Sequence, residues 1–535
     1  MKLRNFANKF LLVTMMLLLV LGNFALPTVT SAVVMTPAST ATSTQLTKTY
    51  RLDSYNLNQP TSSIFHEETL YSALGIKTYN NYLMQLSATQ NLNDIVVAVV
   101  DTGLDDDQVL FKDRVLTDYG MDFSYGLATN VYGESNAWDL DENGHGTHVA
   151  GIIADITLSN VKILPIKIFH GKNNTIDLFA FVNALLYLRA LKTGVPTQLY
   201  QSLGGNNYTK TKEYYPLSSH GENFTPMTNL VVANFSLGVN GFTVDEITNA
   251  FIRERNFYQN LIDYCLLQVG ILPVVAAGNR TEEQIDSEAY YSLPGSCSGV
   301  LEVSWYDNGD NRYTLAQKSY YNNNVSLAAP GSNIWSACSA ELIGDEDVDV
   351  KTDGENYYYC CSGTSMATPF VTACYAMLMS DSSKTQAADF GLSSFDPSAT
   401  DSDDDQYVSV QHKALLAAAL QNGHGKTDRF GQRVHEYEPG FGYGTLTVAC
   451  FGTNTVSALA DIKYEPFDNT TKDSASLPDV RYLMGGSQST DWFRVCVIIA
   501  LVVLIIWGIK MFRTYSVALI RRKEANDNDD EQQSN

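Results

Sequence analysis

The run Ile95 to Val100 is apolar at every position and rich in β-branched residues. A strand with one wet face would alternate, so this run predicts a strand buried on both faces of a parallel sheet. It stops at Asp101-Thr102-Gly103, which puts Asp101 at the carboxyl end of that strand. A different period appears after Gly363. Met366, Phe370, Ala373 and Met377 form an apolar stripe that predicts a core-facing helix, with Pro369 near its first turn, where a missing N–H costs least. The small and apolar residues Val149 to Ala154 predict a second, tightly packed helix, and Val410 to Leu420 a third. By contrast, residues 194–228 carry several Tyr, Asn and Gly, break both periods, and read as a long surface loop that shapes access to a cleft.

The two ends follow other rules. Lys2, Arg4 and Lys9 precede the apolar run Phe10 to Leu21, and Thr30-Ser31-Ala32 offers small residues for cleavage. Residues 1–32 therefore read as a secretory signal, and residues 33–69, Ser/Thr-rich over Thr36 to Thr49, as an N-terminal extension. After a linker, 456–491, the segment 492–512 is long and apolar enough to span a bilayer, with no charge between Val495 and Ile509. Arg513, Arg521, Arg522 and Lys523 then mark 513–535 as a cytoplasmic tail. The expected location is a single-pass protein of a bacterial cell membrane with residues 70–455 outside.

The chain has 535 residues, of which 45% are hydrophobic, enough for one large domain over 70–455 plus these appendages. Its formal charge of −23 excludes nucleic acid as a partner and disfavours anionic lipid surfaces. The acidic run Asp401 to Asp405 lacks a recognisable calcium loop and reads as solvated. Eight cysteines in an exported chain invite disulfides, and one bridge is expected between Cys338 and Cys360 or Cys361, which flank a hairpin.

Three residues carry candidate chemistry. Ser365 follows the Gly363 turn at the start of the striped helix, where unpaired N–H groups and the helix dipole favour a developing oxyanion; an N-cap is the lesser alternative. Glycines flank His145, which is placed near the start of the helix containing Val149. A zinc pair of His145 with His148 is weak, because no His-Glu-x-x-His pattern is present, and His148 reads as a packed helix residue. Asp101, at a strand end where ligands bind in open α/β sheets, could hold an imidazole in one tautomer. Asp-Thr-Gly also marks aspartic peptidases, but those need two copies and this chain has one.

In the order Asp-Thr-Gly, His-Gly-Thr-His-Val-Ala-Gly and Gly-Thr-Ser-Met-Ala-Thr-Pro, the chain resembles the subtilisin-like serine peptidases. The resemblance implies a three-layer α/β fold with a mostly parallel central sheet flanked by helices. It implies a catalytic triad of Asp101, His145 and Ser365, with Asn279, in Val274-Val275-Ala276-Ala277-Gly278-Asn279, as the oxyanion-hole donor. It also makes Ser236, Leu237 and Gly238 the segment that pairs with a protein or peptide substrate, and requires no cofactor or catalytic metal. Signal, peptidase domain and C-terminal membrane helix in that order resemble the mycosins, which implies a second role, stabilising a type VII secretion complex.

Overall fold

The first strand, β1 (Ile95–Asp101), is buried at all seven positions, as its unbroken apolar run predicts. The computed structural model describes residues 68–452 apart from 125–136, 173–175, 177, 205–206, 218–223, 285–288, 308–313, 346–347, 353–355, 393–408 and 424–436. The expected signal, linker, membrane helix and tail lie outside the described residues, as do Asp401 to Asp405 and all but the end of the extension. Among the described residues no helix is long and apolar enough to cross a membrane.

β1 sits near the middle of one sheet with β2 (Met121–Asp122), β3 (Val161–Lys167), β4 (Leu230–Phe235), β5 (Leu272–Ala276), β6 (Leu301–Tyr306) and β7 (Leu327–Pro330). The seven strands lie in the order β7-β6-β5-β4-β1-β3-β2. Every neighbouring pair is parallel, with Val97 opposite Ile163 on one side and Val232 on the other. All the strands therefore point their carboxyl ends to one edge, and the turns after β1, β4 and β5 are adjacent there.

Among the described residues, seven α-helices accompany the sheet: α1 (Glu68–Leu74), α2 (Ile76–Ser87), α3 (His145–Ile156), α4 (Leu178–Thr193), α5 (Ile252–Cys265), α6 (Thr364–Ser380) and α7 (Val410–Asn422). One large apolar cluster joins Val97 and Val99 of β1 to Val149 and Ile153 of α3, to Phe370 and Met377 of α6, and to Leu415 of α7. Leu70, Tyr79 and Leu83 bring α1 and α2 into the same cluster. The other face of the sheet is covered by α4 and α5, where Phe181 meets Phe235 of β4 at 5.8 Å and Tyr258 at 5.6 Å between ring centroids. These are the three layers.

The structure departs from the sequence reading at three places. Pro369 is the sixth residue of α6 and so lies in its second turn, not its first. Residues 194–228 are not all loop: Tyr200–Gly204 and Asn207–Lys210 pair as an antiparallel hairpin, and Tyr208 stacks on Phe179 of α4 at 3.8 Å. The hairpin expected before Ser365 is present, as β8 (Ile334–Ala337) and β10 (Tyr357–Cys361) with a short β9 (Lys351–Thr352) at its edge, but the expected disulfide is not. Cys338 faces Tyr357 across this hairpin, whereas Cys360 and Cys361 face Trp335 and Ile334, so the thiols are offset along the strands. The seven cysteines among the described residues are all free.

Candidate active site

Asp101, Ser236 and Asn279 follow or end three adjacent strands, β1, β4 and β5, at one edge of the sheet. The helices α3 and α6 pack against each other and start at His145 and Thr364, which delivers His145 and Ser365 to the same edge. Close backbone approach makes this possible. A Cβ on Gly146 would lie 2.1 Å from the Gly103 carbonyl, so only glycine lets α3 begin against the Asp101 turn.

His145 Nδ1 lies 2.7 Å from Asp101 Oδ1. Asp101 is fully buried, and the same oxygen accepts from the Thr102 N–H at 2.8 Å. Because a carboxylate faces Nδ1, that nitrogen carries the proton and Nε2 is the basic one. Nε2 is buried and makes no hydrogen bond. Burial alone would lower the His145 pKa, yet the charge and hydrogen bond of Asp101, with a further contribution from Asp141, raise it above the ordinary value of 6.5. Ser365 Oγ donates to the Ser236 carbonyl at 3.1 Å, its resting position.

Asn279 is oriented by its neighbour in the Ser365 motif. The Thr364 N–H and Thr364 Oγ donate to Asn279 Oδ1 at 3.0 and 3.1 Å. Since the backbone N–H can only donate, the oxygen must face it, and the amide NH2 turns away, available to a substrate oxygen. A Cβ on Gly363 would come within 3.2 Å of Asn279 Nδ2. Glycine before Thr364 thus keeps this donor open.

Ser236 and Leu237 are buried, and Ser236 Oγ donates to the Ser365 carbonyl at 2.8 Å. Asn234 Nδ2 in turn donates to Ser236 Oγ at 3.0 Å, while Thr372 of α6 donates to Asn234 Oδ1 at 2.8 Å. The segment Ser236 to Gly238 is thereby fixed to α6 on two levels. His148 is a buried helix residue, its Nε2 3.1 Å from the Ile334 carbonyl, and takes no part in the site. Burial pushes the Cys338 and Cys361 thiols up to about 12, which leaves neither as a nucleophile at neutral pH.

Sequence reasoning missed four side chains here. Thr102, Thr147 and Asp141 tie the His145 turn to the end of β1, and Thr364 orients Asn279. The one available signal was the position of Asp141 three residues before Gly144, the spacing of a side chain that caps a glycine turn.

With these elements placed, the comparisons agree on a class. The Subtilase family model matches residues 93–432, and the chain belongs to that family. Among curated proteins it is similar to fervidolysin from Fervidobacterium pennivorans, 28% identical over 347 residues that cover 61% of this chain and 41% of that protein. It is also similar to the cell wall-associated protease of Bacillus subtilis strain 168, 27% identical over 56% of this chain and 25% of that protein. The chain thus spans a quarter to under half of the length of these relatives. The crystal structure of fervidolysin overlays with a TM-score of 0.42 at 23% identity, covering 76% of this chain and 50% of that one.

Proposed function

We propose that this chain is a serine endopeptidase that hydrolyses peptide bonds through Asp101, His145 and Ser365. The observation that carries the reading is the 2.7 Å contact of His145 Nδ1 with a buried carboxylate, at an edge where the hydroxyl of Ser365 is also delivered. In this mechanism the Ser365 hydroxyl turns from the Ser236 carbonyl toward His145 Nε2 and loses its proton to it as Oγ attacks the peptide carbonyl. The Asn279 amide and the Ser365 N–H hold the oxyanion. His145 then protonates the leaving amine, and water, activated by the same ring, cleaves the acyl-enzyme. The backbone of Ser236 to Gly238 pairs with the substrate.

Ser365→Ala in the full chain tests this: hydrolysis of a denatured protein substrate should vanish while the thermal unfolding profile stays as in wild type. Wild-type turnover in that variant would remove the assignment.

We further propose that the enzyme is exported and tethered through 492–512 with its catalytic domain outside the cell membrane. The support is the order of charged and apolar segments in the sequence. Protease protection of the C-terminus in intact cells, with exposure of residues 70–455, is the expected result; the reverse pattern sinks the tether. The mycosin-like order of segments supports a second role in a secretion complex. Loss of that complex on deletion, but not in Ser365→Ala, is its test.

A further inference from the structure

Asp101 and His145 belong to different elements, and no covalent constraint fixes the distance between a strand end and a helix start. A third acid supplies that constraint. Asp141 is fully buried, and its carboxylate accepts from Thr102 Oγ at 2.8 Å, the Gly144 N–H at 2.9 Å, the Thr147 N–H at 2.8 Å and Thr147 Oγ at 2.6 Å. Thr102 adjoins Asp101, while Gly144 and Thr147 bracket His145. The Gly146 N–H donates to Thr102 Oγ at 2.8 Å and closes the ring. Backbone amides on both sides of His145 are therefore tied, directly or through one hydroxyl, to the residue after Asp101.

We infer that Asp141 is a positioning residue for the catalytic pair: its buried carboxylate locks the end of β1 to the start of α3, and its charge adds to that of Asp101 beside the imidazole. The inference rests on the triad reading above.

Two features separate this role from that of an ordinary turn cap. A cap needs one or two acceptor contacts on its own loop, whereas one oxygen of Asp141 reaches across to β1 through Thr102. Its charge is also felt at the ring, where it acts in the same direction as Asp101. Asp105 in the loop after β1 is a like charge, and Cys338 and Tyr359 face Asp141 from the hairpin as thiol and phenol. Lys167, at the end of β3, donates through Nζ to the carbonyl of Leu140, the residue before Asp141.

The test compares kcat and KM for a peptide substrate across pH 5 to 9 in the full chain, with Ser365→Ala as the control, and follows unfolding in parallel. Asp141→Asn removes the charge and turns an NH2 toward N–H donors. It should lower kcat by about tenfold to a hundredfold, leave KM within about twofold, and move the acidic limb of the rate profile to lower pH. Thr102→Val cuts the bridge but keeps both carboxylates, so kcat should fall by about tenfold with the acidic limb in place. A folded Asp141→Asn with its acidic limb at the wild-type position overturns the inference, as does a Thr102→Val enzyme with wild-type kcat. If Asp141→Asn does not fold, Thr102→Val decides alone. Wild-type activity in Ser365→Ala would instead remove the triad reading beneath it.

Discussion

Ser236 and Ser365 exchange hydrogen bonds: Ser236 Oγ donates to the Ser365 carbonyl at 2.8 Å, and Ser365 Oγ donates to the Ser236 carbonyl at 3.1 Å. The first of these has a covalent cause. In a helix the Ser365 carbonyl would accept from the N–H four residues on, but that residue is Pro369, which has none. A proline in the second turn is costly in a helix interior, and here its consequence is useful. It frees the Ser365 carbonyl, and Ser236, in the segment proposed to pair with substrate, is anchored to it.

Ser236→Ala should therefore strand a buried carbonyl, costing about 1–3 kcal/mol of stability, and loosen the segment that aligns the substrate. Pro369→Ala restores a helical N–H to that carbonyl. The double variant should regain part of the lost stability, a coupling visible in a double-mutant cycle by denaturant unfolding. Strict additivity of the two substitutions would show that Pro369 and Ser236 do not share this acceptor.

Thr364 holds Asn279 through its oxygen, which leaves the NH2 turned to the side where the proposed mechanism places the oxyanion. Asn279→Leu keeps the volume and removes the donor. The expected loss is about 10²- to 10³-fold in kcat with KM nearly unchanged, since the oxyanion exists only after attack. Equal losses in kcat and in substrate affinity would argue that Asn279 binds the ground state instead.

The Asp101 carboxylate raises the His145 pKa against the opposing effect of burial, so the acidic limb of the activity profile should lie above the ordinary value of 6.5. The sign for stability follows from linkage. A folded pKa above the unfolded one means that the folded state holds the proton more tightly. The stability gained from the pair is complete below about pH 6.5 and is lost as pH rises through the folded pKa. Asp101→Asn should lower the limb, remove this contribution to stability and cut kcat by about 10⁴-fold, as when the acid of a Ser-His-Asp triad is made an amide. An acidic limb that does not move would show that Asp101 does not set the ring's charge.

Much of the fold was legible because its signals are local. β1 announces itself by an unbroken apolar run, and α6 by a stripe whose members, Met366, Phe370, Ala373 and Met377, are all buried. Asp101, His145, Ser365 and Asn279 were legible as motifs, and the sheet brings their elements to one edge. What the sequence hid depends on long-range contacts. Arg114 is a charged residue in an unremarkable loop, yet it is fully buried and donates to the carbonyls of Thr157 and Leu158 just beyond the end of α3, of Val161 at the start of β3, and of Ala154 within α3. No periodicity marks such a residue. The hairpin in 194–228 was hidden for a related reason, since its Tyr200 is fixed by Asn183 of α4 through both backbone groups rather than by its own alternation.

Glu302 is a buried carboxyl whose cost can be measured. It is the second residue of β6, opposite Val275, fully buried. Its Oε1 accepts from Asn322 Nδ2 at 3.2 Å, and its Oε2 has no hydrogen-bond partner. Burial outweighs that one hydrogen bond and pushes its pKa up from 4.5 to about 8. Below about pH 4.5 the carboxyl is neutral in both states and folding carries no penalty. As pH rises toward 8 the unfolded chain ionises first, so stability should fall by about 1.4 kcal/mol per pH unit across that window and level off above it. Glu302→Gln keeps the acceptor for Asn322 and removes the titration. Denaturant unfolding of the full chain between pH 5 and 9 should show a flatter profile in the variant, with the largest gain over wild type at pH 8 and above. An unchanged slope would mean that Glu302 reaches water, or a cation, as the protein folds.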